Sequence, residues 1–91
     1  MIRAHIIVKG KVQGVNFRYY FAKIANQAGL TGWVKNSDDY QEVEALLEGE
    51  ETDIKRLLAW CWKGPPRSEI TDVKTTMEKY QGEFTKFEIK R

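Results

Sequence analysis

Two glycines followed by a basic residue, near the start of the chain, have the composition of an anion-binding loop. The stretch Val8–Arg18 begins with a strand-like pattern, contains Gly10 and Gly14, and leads into an amphipathic helix pattern. The first amides of a helix lack intrahelical acceptors and carry the positive end of its dipole, so such a junction binds phosphate-like anions. Arg18 adds a planar guanidinium that suits phosphate oxygens. From spacing alone, a tight turn followed by a solvated arginine explains the stretch equally well.

The periodicity of apolar residues predicts the elements that position this loop. Helical spacing predicts a helix that begins at Phe17 and ends at Gly29, and a second helix over about Thr52–Lys63. The predicted strands are Ile2–Lys9, Thr31–Lys35, Glu42–Glu48 and Ile70–Glu78, and Phe84–Lys90 is a fifth strand or the return of the fourth. The order βαββαβ is that of a ferredoxin-like α+β sandwich. Such a fold has two helices on one face of an antiparallel sheet, here of four to five strands.

The predicted topology brings a second polar residue close to the loop. A right-handed crossover joins the first two strands, so they run parallel and end at the same edge of the sheet. The glycine loop follows the first strand, and Asn36 follows the second. We therefore expect Arg18 and Asn36 to lie near one corner of a single domain formed by residues 1–91.

The same residues resemble the signatures of the acylphosphatase family. Val8–Arg18, with the pattern Val-x-Gly-x-Val-Gln-Gly-Val-x-Phe-Arg, looks like the first signature without a mismatch. Gly32–Asn36 resembles the start of the second signature, and Val43 and Gly49 resemble its end. Gly64–Pro66 after the second helix is also familiar in that family, and the resemblance covers essentially the whole chain.

The resemblance implies hydrolysis of the carboxyl-phosphate bond of acyl phosphates, without a metal or cofactor, to a carboxylate and inorganic phosphate. It implies that Arg18 and Asn36 are catalytic: the arginine binds the phosphoryl group, and the asparagine orients the attacking water. The phosphate-binding residues that it implies are Gln13, Gly14, Val15, Asn16, Phe17 and Arg18. The expected partners are a small-molecule acyl phosphate and inorganic phosphate, the latter as product and inhibitor.

One turn departs from the family pattern. Tyr40 occupies the position of a glycine, and Val43 follows one residue later than the valine of the family. Asp38 or Asp39 can take the left-handed conformation in place of that glycine. Because the insertion closely follows Asn36, it bears on the orientation of that side chain and therefore on the catalytic rate.

Composition and charge bear on partners and location. A formal net charge of +2 is too balanced to indicate nucleic-acid or membrane binding through charge alone. The sequence has neither an apolar run long enough to span a membrane nor the apolar core of a signal peptide. Cys61 is the only cysteine, so no internal disulfide can form. We expect a cytoplasmic monomer that binds neither nucleic acid nor membranes.

Two other functions remain open from the sequence. A ferredoxin-like domain can bind RNA through aromatic residues on its open sheet face, although the first and third strands lack a matching exposed pair. A phosphate-binding module without turnover would keep the loop, and the altered turn after Asn36 is compatible with it. The acidic turn fits a solvated hairpin better than a cation site, and His5 and Cys61 fit structural roles better than a zinc site.

Overall fold

Two helices and five strands follow one another in nearly the predicted order. The computed structural model describes residues 1–12, 15–38 and 41–90. The elements are β1 (Ile2–Lys11), α1 (Phe17–Gln27), β2 (Thr31–Asn36), β3 (Glu42–Gly49), α2 (Glu51–Lys63), β4 (Glu69–Lys79) and β5 (Phe87–Ile89). The predicted helices and strands are confirmed, with small differences at their ends. Neither helix in these ranges is long and apolar enough to cross a membrane.

The strands form one sheet in the order β4-β1-β3-β2-β5. β3 runs antiparallel to both β1 and β2, so β1 and β2 are parallel to each other, as the crossover predicts. The last segment is a fifth strand, and it pairs with β2 in parallel, with Gly32 opposite Phe87. The sheet is therefore mixed at this edge, where the sequence had predicted only antiparallel pairing.

The core lies between one face of the sheet and the two helices. Phe17 and Phe21 on α1 are buried, and the ring of Trp60 on α2 lies 5.1 Å from that of Phe17. Phe87 on β5 extends the cluster, with its ring 5.8 Å from that of Phe21. Burial of each such side chain contributes about 1.5–3 kcal/mol. Because Phe17 is the first residue of α1, this packing fixes the start of the helix and with it the end of the glycine loop.

Gly10 allows β1 to pass very close to β4 just before the loop begins. Its φ angle is +131°, at a shift in the register between β1 and β4. A Cβ atom at this position would lie 2.0 Å from the carbonyl oxygen of Glu69, so no larger residue fits without moving the backbone. The first signature glycine therefore permits the close approach of β1 to β4 at the register shift.

The C-terminal end of α1 closes at Gly29, as the sequence predicts. Gly29 has a φ angle of +73°, and its amide donates to the carbonyl oxygen of Asn26. The amide of Leu30 donates to the carbonyl oxygen of Ala25 at 2.9 Å. This pair of bonds is a Schellman motif, which directs the chain from α1 into β2.

The connection from β4 to β5 covers part of the sheet face opposite the helices. In the sequence, Glu48 alternates with the apolar residues Val43, Ala45 and Leu47, which predicts a mostly solvated face for it. In the structure, Glu48 is only 1% exposed. Its carboxylate accepts hydrogen bonds from the amides of Gln81 and Glu83 at 2.7 and 2.9 Å. The expectation for Glu48 was wrong because the strand pattern does not show that this connection crosses the face.

An arginine completes this buried cluster. The Nε atom of Arg3 donates to the Glu48 carboxylate at 3.3 Å, and its Nη2 atom donates to the Glu83 carboxylate. Burial alone would raise the pKa of Glu48, but the two backbone amides and Arg3 outweigh it, so the pKa lies below its ordinary value. The hydrogen bond to Glu83 is the largest contribution to the raised pKa of Arg3. Both groups are therefore charged in the folded protein at neutral pH.

Cys61 is fully buried in the core-facing side of α2, and burial raises the pKa of its thiol. We expect the folded protein to show almost no reaction with an aromatic disulfide reagent at mildly alkaline pH. The reactive species is the thiolate, and burial disfavours its formation at Cys61. The same protein in denaturant is the control and should react fully. Rapid labelling without denaturant would contradict the packing of α2 described here.

Candidate active site

The described part of the glycine loop ends in a left-handed residue directly before α1. Asn16, the N-cap of α1, has φ and ψ angles of 60° and 32°, and its side chain forms no capping hydrogen bond. Its carbonyl oxygen accepts the amide of Tyr20 at 3.1 Å, which is the first hydrogen bond of the helix. Left-handed and right-handed residues in succession turn their N–H groups towards a common concave site for anions. Of the predicted phosphate-binding residues, Gln13 and Gly14 lie outside the described ranges.

Apolar anchors hold this loop end in place. Val15 and Phe17 are buried on either side of the exposed Asn16. The first turn of α1 contains no acidic residue, so no carboxylate of that turn neutralises the positive end of the helix dipole. The start of α1 is therefore a rigid and electropositive surface.

Arg18 extends from the first turn of α1 to the edge of the sheet. Its Nη1 atom donates to the carbonyl oxygen of Lys90 at 3.3 Å. The amide of Lys90 in turn donates to the carbonyl oxygen of Val34 on β2 at 2.8 Å. A guanidinium has five N–H donors, so the bond to Lys90 leaves four that can bind phosphate oxygens. The contact with Lys90 could not be predicted, because a backbone carbonyl carries no signal in the sequence.

Asn36 is the last residue of β2 and lies opposite Val43 on β3. The hairpin is closed just beyond this pair, where the amide of Ser37 donates to the carbonyl oxygen of Glu42 at 2.9 Å. The amide of Glu42 donates in return to the Ser37 Oγ atom at 3.1 Å. The register of the hairpin is therefore intact up to Asn36, despite the longer turn.

The structure excludes one of the two alternatives expected for the turn. Among described residues other than glycine, only Asn16 and Arg67 have positive φ angles, so Asp38 does not take the left-handed conformation. The alternative at Asp39, and the position of Tyr40, lie outside the described ranges.

The arrangement brings Arg18 towards the strand that ends in Asn36, as the topology predicts. Lys90 connects the two, because it binds the guanidinium through its carbonyl and β2 through its amide. The start of α1, a guanidinium and the strand that ends in a carboxamide thus lie at one corner of the sheet. These are the groups needed to bind a phosphoryl dianion and to hold a water molecule beside it.

The minor candidates from the sequence lie elsewhere. His5 lies on the sheet face opposite the helices, with its Nε2 atom 2.6 Å from the Glu44 carboxylate. Cys61 lies in the core. Within the described ranges, no group of three or more His, Cys, Asp or Glu side chains is arranged to hold a metal ion.

Comparison with known proteins decides between the functions that the sequence left open. A family model described as Acylphosphatase matches residues 4–89, which include the loop, Arg18 and Asn36. The chain belongs to the acylphosphatase family. It is accordingly a hydrolase acting on acid anhydrides, and small-molecule acyl phosphates are the substrate class of the family.

Individual relatives in the acylphosphatase family match over almost their whole length. The chain is 42% identical to an acylphosphatase of Aeropyrum pernix over 90 residues, which cover 99% of this chain and 89% of that protein. It is 45% identical to an acylphosphatase of a Nostoc species over 91 residues, which cover 100% and 88%. The crystal structure of acylphosphatase from Bacillus subtilis superposes with a TM-score of 0.94 at 38% identity and covers 100% of both chains. This likeness confirms the ferredoxin-like α+β sandwich.

Proposed function

We propose that the chain hydrolyses the carboxyl-phosphate bond of acyl phosphates without a metal ion, with residues 13–18 binding the phosphoryl group and Asn36 orienting the water. The observation that carries the proposal is the contact of Arg18 with Lys90, since Lys90 is itself hydrogen-bonded to the strand that ends in Asn36. These hydrogen bonds support a site in which the cationic donor lies near the end of the strand that carries the neutral amide.

The loop and Arg18 act on the charge of the phosphoryl group. In phosphoryl transfer, charge is spread over three equatorial oxygens while the attacking and leaving oxygens lie in line. The amides at the start of α1 and the guanidinium can donate to these oxygens from fixed positions. Prearranged donors of this kind stabilise the transition state without reorganising during the reaction.

Asn36 acts on the attacking water. The water oxygen forms a bond to phosphorus as the bond from phosphorus to the acyl oxygen breaks, and the carboxylate leaves with that electron pair. The proton of the water passes to a phosphoryl oxygen, so the products are a carboxylate and inorganic phosphate. A carboxamide can position the water through its donors and its acceptor, and it does not titrate.

The leaving group explains why this set of residues is sufficient. A carboxylate is only weakly basic and departs without a proton, so the reaction does not need a general acid. The amides and Arg18 supply the positive charge that metal ions provide in many phosphoryl-transfer enzymes. We also propose that inorganic phosphate inhibits by occupying the same loop, and that residues 1–91 act as a single-domain, cytoplasmic monomer.

The test measures hydrolysis of benzoyl phosphate in the presence of a chelator by the unmodified protein and by Asn36→Ala. The variant should lose roughly 10²-fold or more in kcat with little change in KM, because the water is misplaced while the phosphoryl site is intact. Asn26→Ala, which changes an exposed asparagine at the far end of α1, is the matched control and should retain full activity.

Three outcomes would count against the proposal. Full activity in Asn36→Ala would remove the role of Asn36. Loss of activity with the chelator and recovery with a divalent cation would contradict the metal-independent reaction. Tight binding of inorganic phosphate without turnover by the unmodified protein would indicate a phosphate-binding module instead.

A further inference from the structure

A cavity of about 230 Å³ opens beside the loop end that precedes α1. It is lined by Val15, Asn16, Tyr20, Pro66 and Arg67. A wider groove of about 520 Å³ shares three of these residues and continues along the end of α2 to Trp60 and Lys63. We call the two together the Arg67 pocket. It adjoins the proposed phosphoryl site because Val15 and Asn16 belong to both.

The lining of the Arg67 pocket suits a flat or apolar group that carries negative charge. Tyr20, Trp60 and Pro66 provide aromatic and apolar walls. Lys63 and Arg67 provide two cations, and among the described residues no carboxylate lines either part of the pocket. Within the described ranges, neither cation forms an ion pair, so neither is already neutralised by a neighbouring carboxylate.

The loop after α2 holds Arg67 in an unusual backbone conformation. Arg67 has a φ angle of +73°, a left-handed conformation that is unfavourable for residues other than glycine. The loop is closed around it, since the amide and the Oγ atom of Ser68 both donate to the carbonyl oxygen of Pro65, at 3.1 and 2.6 Å. The side chain of Arg67 therefore starts from a fixed and strained position rather than from a mobile turn.

The order of the strands places this pocket on the side where the acyl group should lie. β1, which leads into the loop, has β4 on one side and β3 followed by β2 on the other. Asn36 ends β2, whereas Arg67 leads into β4. In-line displacement puts the attacking water and the leaving oxygen on opposite sides of phosphorus. A water on the Asn36 side therefore directs the acyl group towards the Arg67 pocket.

We infer that Arg67, assisted by Lys63, binds a second negative charge on the acyl half of the substrate. The enzyme then prefers acyl phosphates whose acyl group carries an anionic group, such as a carboxylate, over neutral ones. This inference rests on the proposed function, because it takes the phosphoryl group to lie at the loop and the water at Asn36.

The test compares benzoyl phosphate with para-carboxybenzoyl phosphate, a pair that differs by one remote carboxylate. The measured quantity is the ratio of kcat/KM for the charged substrate to that for the neutral one. Arg67→Gln should lower this ratio by about three- to tenfold, mainly by raising KM for the charged substrate, since it removes a charged hydrogen bond and leaves the chemistry intact. The difference between the variant and the unmodified protein should shrink at high salt, because the site is open to solvent.

Control variants separate this role from effects on folding and on overall charge. Arg56→Gln, an exposed arginine on α2 outside the Arg67 pocket, should leave the ratio unchanged. Arg67→Lys should restore most of the preference. An unchanged ratio in Arg67→Gln, or an equal loss for both substrates, would overturn the inference while leaving the hydrolase activity established. Failure of the unmodified protein to hydrolyse either substrate would overturn the proposed function and this inference with it.

Discussion

Replacement of Arg18 by alanine is expected to lower kcat/KM for benzoyl phosphate by about 10²- to 10³-fold. The guanidinium is held at the edge of the sheet by Lys90, so its charge is already in position when the phosphoryl group binds. Removal of this donor weakens binding of the substrate and the stabilisation of the transition state together. Inorganic phosphate should inhibit the Arg18→Ala variant less strongly than the unmodified protein, because both anions use the same donor.

One further variant shows whether the geometry of the guanidinium or only its charge matters, and a second serves as a control. Arg18→Lys keeps the charge and loses the planar fork, so we expect activity between those of alanine and arginine. Arg56→Ala removes an exposed arginine far from the loop and should have full activity. Steady-state kinetics and thermal melting of all variants provide the measurement. Near-normal kcat/KM in a folded Arg18→Ala variant would contradict the role of Arg18.

The largest effect on stability is expected at Arg3. Arg3→Met should lower the free energy of unfolding by about 3–5 kcal/mol, because it leaves the buried Glu48 carboxylate without its cation. The double variant Arg3→Met with Glu48→Gln should recover much of this loss. The neutral carboxamide at position 48 can accept from only one of the amides of Gln81 and Glu83, so we expect the recovery to be incomplete.

Denaturant unfolding of both variants and of a surface control, Arg56→Met, measures these differences. The control should change stability by less than about 0.5 kcal/mol. Equal stability of the single and the double variant would show that an uncompensated charge on Glu48 is not the cause of the loss.

The same cluster predicts how stability depends on pH. The pKa of Glu48 in the folded protein lies below its ordinary value of 4.5, so the folded state binds the proton less readily than the unfolded chain. The contribution of the Glu48 carboxylate to the free energy of unfolding is therefore complete above its pKa in the unfolded chain. It is lost as the pH falls through the lower pKa of the folded protein. The double variant, which lacks this carboxylate, should lose less stability than the unmodified protein over that acidic range.

The elements could be predicted, and the catalytic pair could be proposed, because both leave local signals in the sequence. Helical and alternating spacings of apolar residues indicated α1 and the four long strands. Glycine spacing and strand ends then indicated Arg18 and Asn36. By contrast, β5 has only three residues, which is too short for a periodic pattern to show whether it pairs or with which strand.

The features that the sequence did not reveal depend on contacts between distant segments. The alternation in β3 assigns Glu48 to a face, but only the folded connection over Gln81 and Glu83 shows that this part of the face is covered. Arg67 follows two prolines, in a stretch whose composition is that of a solvated turn. Its place in a cavity beside the loop becomes visible only when α2 and β4 are packed beside β1.

The contact of Arg18 with Lys90 joins residues 72 positions apart in the sequence. Lys90 directly follows β5, a strand of three residues at the edge of the sheet. Short edge strands open more readily than a core, often without global unfolding. Detachment of β5 would release the guanidinium while most of the core stayed packed. The cooperative unit that keeps the enzyme active is therefore smaller and weaker than the unit that keeps it folded, and inactivation on heating should precede loss of the helices.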